Sequence, residues 1–210
     1  MSQAVTTDTT HIILSFAMAE HGGMFATWLR DKLMKKYNYY GRNNVYMDCI
    51  ATRGLVTEHS KASPPNQAPG TTYVFPDTRP HMTAQGYTPI GAMNSDWNGM
   101  YETAMSQAKV MIMVITPSYL ASQWCLQEWA QFQQERARRL PNNPLKGIGI
   151  RFYGSLEKGL KQPNGTPLDQ RGMKFITCNK TQGGPGQGLL WHPKNWGISD
   201  NELQSLYQLI

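Results

Sequence analysis

The sequence predicts an α/β fold in which short buried strands alternate with amphipathic helices around a central parallel sheet. Two apolar runs, residues 11–16 and 110–115, are typical of strands that are buried on both faces. Apolar residues recur at helical spacing after the first run and before the second. Because helices connect the strands, we expect the strands to run parallel and any ligand to lie at their carboxyl ends.

The remaining elements follow the same alternation. Strands are predicted over residues 11–16, 45–50, 110–115, 147–153 and 174–178, with a further short strand at 71–75. Helices are predicted over residues 25–35, 97–108, 123–139 and 199–209, and residues 116–119 are interpreted as a turn. Asp96 and Ser122 have the side chains of N-caps. In the last helix Leu203, Leu206 and Tyr207 are expected to face inward.

Length and composition favour one domain of a reduced, cytoplasmic protein. The chain has 210 residues, and we expect residues 1–10 to be flexible and residues 11–210 to form a single domain. Mean hydropathy is −0.49, and no apolar stretch is long enough to span a bilayer. The three cysteines (Cys49, Cys125 and Cys178) form no closely spaced pair, which argues against a disulfide framework.

The basic charge is concentrated in the last third of the chain. Residues 1–135 carry 9 Lys/Arg and 10 Asp/Glu, whereas residues 136–210 carry 11 and 4. This excess is either a solvated surface or an attraction for an anionic partner such as a nucleotide. Aromatic residues are not interleaved with the basic ones, so no nucleic-acid surface is predicted. The five histidines show no metal-ligand spacing.

Residues 122–129 combine a helix start, two tryptophans and one carboxylate, Glu128. Trp124 and Glu128 are four residues apart, so we expect them to share one helix face. The alternative is that Glu128 is a surface residue, modestly favoured by the helix dipole. No histidine is near Cys125 in sequence, which disfavours thiol catalysis. The glycine-rich segment 183–188 lacks a following helix, so a dinucleotide loop is not predicted there.

Three segments together resemble the TIR (Toll/interleukin-1 receptor) domain family. Residues 13–16 (ILSF) are similar to its first-strand signature, and residues 45–48 (VYMD), with Arg53 and Gly54, are similar to its second strand and the following loop. The stretch from Met100 to Glu128 resembles the part best kept in plant and bacterial members. The similarity covers about residues 10–54 and 96–135.

The resemblance implies a flavodoxin-like three-layer fold and an NAD-cleaving activity. In NAD-cleaving members the glutamate of a Trp-x-x-x-Glu helix is catalytic, which corresponds to Glu128. By the same resemblance, substrate contacts are expected from Ser15, Phe16, Ala17, Asp48, Arg53 and Trp124. Asp48 and Arg53 are alternatively a local salt bridge or turn pair. NAD is then a substrate, and no cofactor is expected.

The family also implies self-association through TIR surfaces and a possible downstream effector protein. The role would be NAD depletion or production of a nucleotide signal, in bacterial antiphage defence or as a toxin-like effector. Two alternatives stay open: a non-catalytic TIR-type interaction module, and an enzyme similar to nucleoside deoxyribosyltransferases. The chain departs from the family in a long Pro-rich insertion at residues 55–95 and in a divergent C-terminal part, residues 141–210.

Overall fold

Five strands form one sheet in the computed structural model, which describes residues 9–17, 22–41, 43–47, 97–139, 141, 143–152, 160–178 and 198–210. The strands are β1 (Ile12–Phe16), β2 (Val45–Tyr46), β3 (Val110–Ile115), β4 (Lys146–Phe152) and β5 (Met173–Cys178). Their order in the sheet is β2-β1-β3-β4-β5. The pairs β1 with β2, β3 with β4 and β4 with β5 are parallel. This is the strand order of flavodoxin-like sheets, and the predicted fold class is confirmed.

The helices are α1 (Gly22–Tyr37), α2 (Trp97–Gln107), α3 (Pro117–Ala121), α4 (Gln123–Arg138) and α5 (Asp200–Leu209). The predicted turn at residues 116–119 is wrong, because a short helix begins there. The Thr116 side chain accepts a hydrogen bond from the Tyr119 N–H, and Pro117 occupies the first turn, where a missing N–H costs nothing. Among the described residues, no helix combines the length and apolar character needed to cross a bilayer.

Several predictions lie outside the described residues. These are residues 1–8 of the segment 1–10 predicted to be flexible, the end of the second strand at residues 48–50, the strand at 71–75, the insertion at 55–95 and the Asp96 cap. Within the described part, Ser199 forms a capping box with Glu202 at the start of α5. Leu203 and Leu206 are buried as predicted, whereas Tyr207 is only partly buried.

The described residues fall into two compact units. The first draws on Met1–Leu14 and Ala26–Ala108. Its core contains buried apolar side chains from β1, β2, α1 and α2, among them Ile12, Ile13, Leu29, Leu33, Val45 and Met105. The buried Arg30 donates from Nε to the Val45 carbonyl oxygen over 3.1 Å. That hydrogen bond gives one N–H of the buried guanidinium an acceptor, which offsets part of the cost of removing the charge from water.

The second unit draws on Ser15–Phe25 and Lys109–Ile210. All six residues of β3 are buried, as expected for a central strand. Helix α4 packs closely on β4, because a Cβ added at Gly147 would lie 2.5 Å from Phe132 Cζ and 2.2 Å from Met173 Sδ. The absence of a side chain at Gly147 therefore allows this approach of helix to sheet.

Candidate functional site

Two consecutive helices begin where β3 ends. Thr116 caps α3, and Ser122 both ends α3 and caps α4. The Ser122 N–H donates to the Tyr119 carbonyl over 3.2 Å, and its Oγ accepts from the Cys125 N–H at 3.3 Å. The predicted Ser122 cap is therefore confirmed. These hydrogen bonds place Glu128 in the second turn of α4, close to the carboxyl end of β3 in the chain.

Glu128 lies in the interior and not on the helix surface. Its side chain is only 6% exposed. The Ser15 hydroxyl, itself 1% exposed near the end of β1, donates a hydrogen bond to Glu128 Oε2. The surface-residue interpretation of Glu128 is wrong. A carboxylate removed from water is costly unless donors compensate it, and Ser15 supplies one.

Tyr119 completes a hydrogen-bonded chain with these two residues. Its hydroxyl oxygen lies 2.9 Å from Ser15 Oγ, and the side chain is fully buried. A serine hydroxyl has a single proton, so when Ser15 donates to Glu128 it must accept from Tyr119. The direction of donation is therefore from Tyr119 to Ser15 to Glu128.

Tyr119 is suited to that role because it keeps its proton. Burial, followed by the electrostatic interactions with Cys125 and Glu128, raises the pKa of Tyr119 well above its usual value, although the hydrogen bond with Ser15 lowers it. A buried hydroxyl next to a carboxylate is favoured in its neutral, donating form. The three side chains thus form a polar chain with the acid at its end.

A second stripe of α4, next to the one that carries Glu128, is hydrogen-bonded to the loop before β5. Trp129 Nε1 and Gln133 Nε2 both donate to the Asp169 carbonyl, over 2.9 and 2.7 Å. Arg136 donates from Nη1 to the Arg171 carbonyl over 2.6 Å. These side chains recur at helical spacing, and they hold one stripe of α4 in place. These hydrogen bonds fix the position of the helix that carries Glu128.

The same loop contains an exposed ion pair. Arg171 donates from Nε and Nη2 to the Asp169 carboxylate, with a shortest distance of 2.7 Å. The side-chain hydrogen bond from Arg171, followed by its backbone N–H, lowers the pKa of Asp169 to about 2. This pair lies on the surface, so it shapes the loop more than it stabilises the fold.

Trp124 does not share the environment of Glu128. The Trp124 side chain is 62% exposed, whereas Glu128 is buried. The two residues therefore differ in burial, although the helix period places both on one side of α4. Trp124 lies in the first turn of α4, and residues four apart on a helix are offset by about 40° around its axis. Glu128, one turn further along, enters the interior. A role for Trp124 in contacting a substrate stays a prediction.

The other predicted contact residues are placed in part. Phe16, at the end of β1, and Ala17, just after it, are 8% and 6% exposed, so both are more buried than a rim position requires. Phe16 and Ala17, like Ser15, belong to the second unit. Asp48 and Arg53 lie outside the described residues. Their roles, like those of Phe16 and Ala17, stay predictions.

Metal and thiol chemistry have little support in the described ranges. No group of three or more His, Cys, Asp or Glu side chains able to hold a metal ion occurs there. The Cys125 side chain is buried, with 3% exposure. No histidine lies near Cys125 in the sequence to activate it as a nucleophile.

Tyr119 is the member of the site that sequence reasoning missed as a functional residue. The pattern around it indicated only a link between a strand and a helix. A signal was present, because a tyrosine between two apolar segments needs a partner for its hydroxyl once it is buried. The partner, Ser15, is 104 residues away in sequence, which no local pattern reveals.

The comparisons with known proteins concern the middle of the chain. A family model described as the TIR domain matches residues 80–162, which include α2, β3, α3, α4 and β4. Glu128 and Tyr119 lie within the matched range, and Ser15 lies before it. No curated protein and no solved structure gives a significant match.

Proposed function

Because the chain carries a TIR domain, we propose that it cleaves the bond between nicotinamide and ribose in NAD, with Glu128 as the catalytic carboxylate. One observation carries the proposal. Glu128 is a buried acid, held by Ser15, at the edge of the sheet where the parallel strands β1 and β3 end. In sheets of this strand order, ligands bind at the carboxyl ends where the order reverses, which here lies between β1 and β3.

The chemistry requires only one acid. The nicotinamide of NAD is a cation, and when the bond from its nitrogen to the ribose C1′ breaks, the electron pair moves to that nitrogen and nicotinamide departs neutral. Positive charge then develops on the ribose. A carboxylate fixed in a partly dry site stabilises that charge without reorganising. A water oxygen then bonds to C1′ and releases a proton, so the products are nicotinamide, ADP-ribose and H⁺.

The hydrogen-bonded chain supports this role by orientation. Ser15 binds Oε2 of Glu128, and Tyr119 orients the Ser15 hydroxyl. Ser15 and Tyr119 are therefore positioning residues, because they act through Glu128. If an acceptor within the dinucleotide replaces water, the same carboxylate serves a cyclisation or a transfer to a second nucleotide. The acceptor that reaches C1′ therefore determines whether the product is linear, cyclic or conjugated.

The test is release of nicotinamide from NAD by the purified protein, measured by chromatography, with and without a crowding agent. Glu128→Gln removes the charge but keeps the size of the side chain, and we expect it to abolish release. The matched control is Glu135→Gln on the same helix, because Glu135 pairs with Arg138 and Arg139 and is not part of the site. Equal release by the wild type and Glu128→Gln, or no release by the wild type under either condition, contradicts the proposal.

A second candidate function is a TIR-type interaction module. The exposed indole of Trp124 favours it, because a large apolar side chain that is 62% exposed at a helix start suits a protein contact. This function predicts a partner-dependent activity in cells that survives Glu128→Gln. The catalytic proposal predicts that the same substitution removes the cellular effect.

In the catalytic case, we propose that the biological effect is NAD depletion or a nucleotide signal, in antiphage defence or as a toxin-like effector. Self-association and a downstream effector protein belong to the same proposal. Measurement of cellular NAD after expression of the wild type and of Glu128→Gln separates depletion from a signal. Loss of NAD with only the wild type supports depletion, whereas toxicity at constant NAD supports a signal.

A further inference from the structure

Arg151 is a cation at the same edge of the sheet as the proposed site. It lies near the end of β4, where the parallel register aligns it with Ile115 of β3 on one side and Thr177 of β5 on the other. Ile115 is the last residue of β3, immediately before the Thr116 cap. Arg151 is therefore at the carboxyl edge, one strand beyond β3.

The side chain of Arg151 projects from the sheet face that α4 covers. Successive side chains of a strand alternate between faces, so Gly147, Gly149 and Arg151 share one face. A Cβ at Gly147 would meet Phe132 of α4, which identifies that face. Glu128 also lies on α4, one helical turn before Phe132 and on the same stripe. The acid and the cation thus occupy the same layer of the second unit.

The guanidinium of Arg151 is held in a defined orientation. Its Cζ lies 4.9 Å from the centroid of the Phe175 ring, the geometry of a cation–π contact. Phe175 is pressed against Gly149, where an added Cβ would lie 2.6 Å from its Cδ1. Arg151 itself is partly buried. A planar cation held in this way loses little further freedom when it binds an anion, which favours bidentate contacts.

We propose that Arg151 binds the pyrophosphate of the dinucleotide that Glu128 cleaves. The inference rests on the proposed function and identifies the part of the substrate that Arg151 would recognise. Ser15 is on β1 and Arg151 is on β4, two strands away. Two strand spacings amount to about 10 Å. In a dinucleotide the pyrophosphate follows the reacting ribose directly, so one molecule can place its ribose at Glu128 and its phosphates towards Arg151. Arginine suits phosphate because its fork donates two parallel hydrogen bonds.

The experiment measures binding of ADP-ribose, which carries the pyrophosphate and is not cleaved, by isothermal titration calorimetry. Arg151→Gln removes the charge, and we expect its Kd for ADP-ribose to rise roughly 10- to 100-fold, as for the loss of hydrogen bonds to a charged group. Nicotinamide riboside lacks the pyrophosphate, and its affinity should be unchanged. The matched control is Arg138→Gln, since Arg138 is 71% exposed and pairs with Glu135 on the far part of α4.

The outcomes separate this inference from the proposed function. If Arg151→Gln binds ADP-ribose as tightly as the wild type, Arg151 has no phosphate role, whether or not NAD is cleaved. Failure of the wild type to bind ADP-ribose also overturns the inference. Wild-type binding that weakens in Arg151→Gln, with no nicotinamide release, supports the phosphate site and contradicts only the NAD-cleaving function.

A folding defect is distinguished by a second variant. Arg151→Met keeps a long unbranched side chain beside Phe175 and removes the charge, and its melting temperature is compared with that of the wild type. In a variant that melts like the wild type, weaker ADP-ribose binding with a smaller salt dependence supports the inference. An unchanged salt dependence in that variant contradicts it.

Discussion

Replacement of Ser15 by alanine tests whether the buried hydrogen-bonded chain is real. The substitution removes the donor to Glu128 and the acceptor for Tyr119, both in the interior. Loss of a hydrogen bond to a charged group costs about 1.5–3 kcal/mol. For a chain of this size, we expect the melting temperature to fall by roughly 3–12 °C. Nicotinamide release should fall as well, because the carboxylate loses its orientation.

The effect is isolated by a double-mutant cycle with Glu128→Gln. With a neutral amide in place of the carboxylate, Ser15→Ala should cost only about 0.5–1.5 kcal/mol, the value for an uncharged hydrogen bond. The expected coupling energy is therefore about 1 kcal/mol or more, which exceeds the scatter of roughly 0.3–0.5 kcal/mol seen for independent sites. Free energies of unfolding from urea titrations of the four proteins give this value.

The control is Ser205→Ala, whose hydroxyl donates to the Asn201 carbonyl on the exposed side of α5. It should change the free energy of unfolding by less than about 0.5 kcal/mol. Additive costs for Ser15→Ala and Glu128→Gln would refute the reasoning. They would mean that Ser15 does not compensate the charge of Glu128, and Ser15 would then have no positioning role.

Three further predictions concern other parts of the second unit. Gly147→Ala should destabilise the fold by about 1–3 kcal/mol in urea titrations, because its Cβ would lie 2.5 Å from Phe132 Cζ of α4. Wild-type stability would contradict the packing of α4 on β4. Trp124→Ala should leave the melting temperature unchanged and raise the KM for NAD, since an exposed ring that contacts substrate affects binding and not folding. An unchanged KM would show that Trp124 does not contact the substrate. The Asp169 carboxyl should titrate at about pH 2 by NMR, because Arg171 lowers its pKa from 3.8. The stability linked to this group is then present above about pH 4 and lost as the pH falls towards 2. Arg171→Ala removes the side-chain hydrogen bonds but keeps the backbone N–H, so it should raise the pKa of Asp169 part of the way towards 3.8, and an unchanged titration would contradict the role of the Arg171 side chain.

The order and type of most elements follow from local sequence. The apolar run at residues 110–115 predicted a buried strand, and β3 occupies those residues. Ser122 was predicted as a cap, and it caps α4. Both results depend on interactions within a few residues, so patterns in the chain reveal them. Helix α3 was missed because a single turn of helix has the same Thr-Pro start as a tight turn.

The arrangement of the candidate site follows from contacts that are distant in sequence. Ser15 and Glu128 are 113 residues apart, and Ser15 and Tyr119 are 104 apart. No local pattern links them, because strand order alone brings the ends of β1 and β3 to one edge. The separation of Trp124 from Glu128 has a similar cause. The helix period places the two residues on one side of α4, but the depth at which α4 meets the sheet determines which of them is buried.

The sequence by itself determined the α/β class and the capped helix that carries Glu128, because both are encoded in spacing and residue type over short distances, and the resemblance to the TIR family identified the acid to consider. Only the tertiary structure decided that Glu128 is buried, that Ser15 and Tyr119 hold it, and that Arg151 shares its edge of the sheet. Those facts depend on which strands become neighbours, and strand neighbours are selected by the packing of the whole domain.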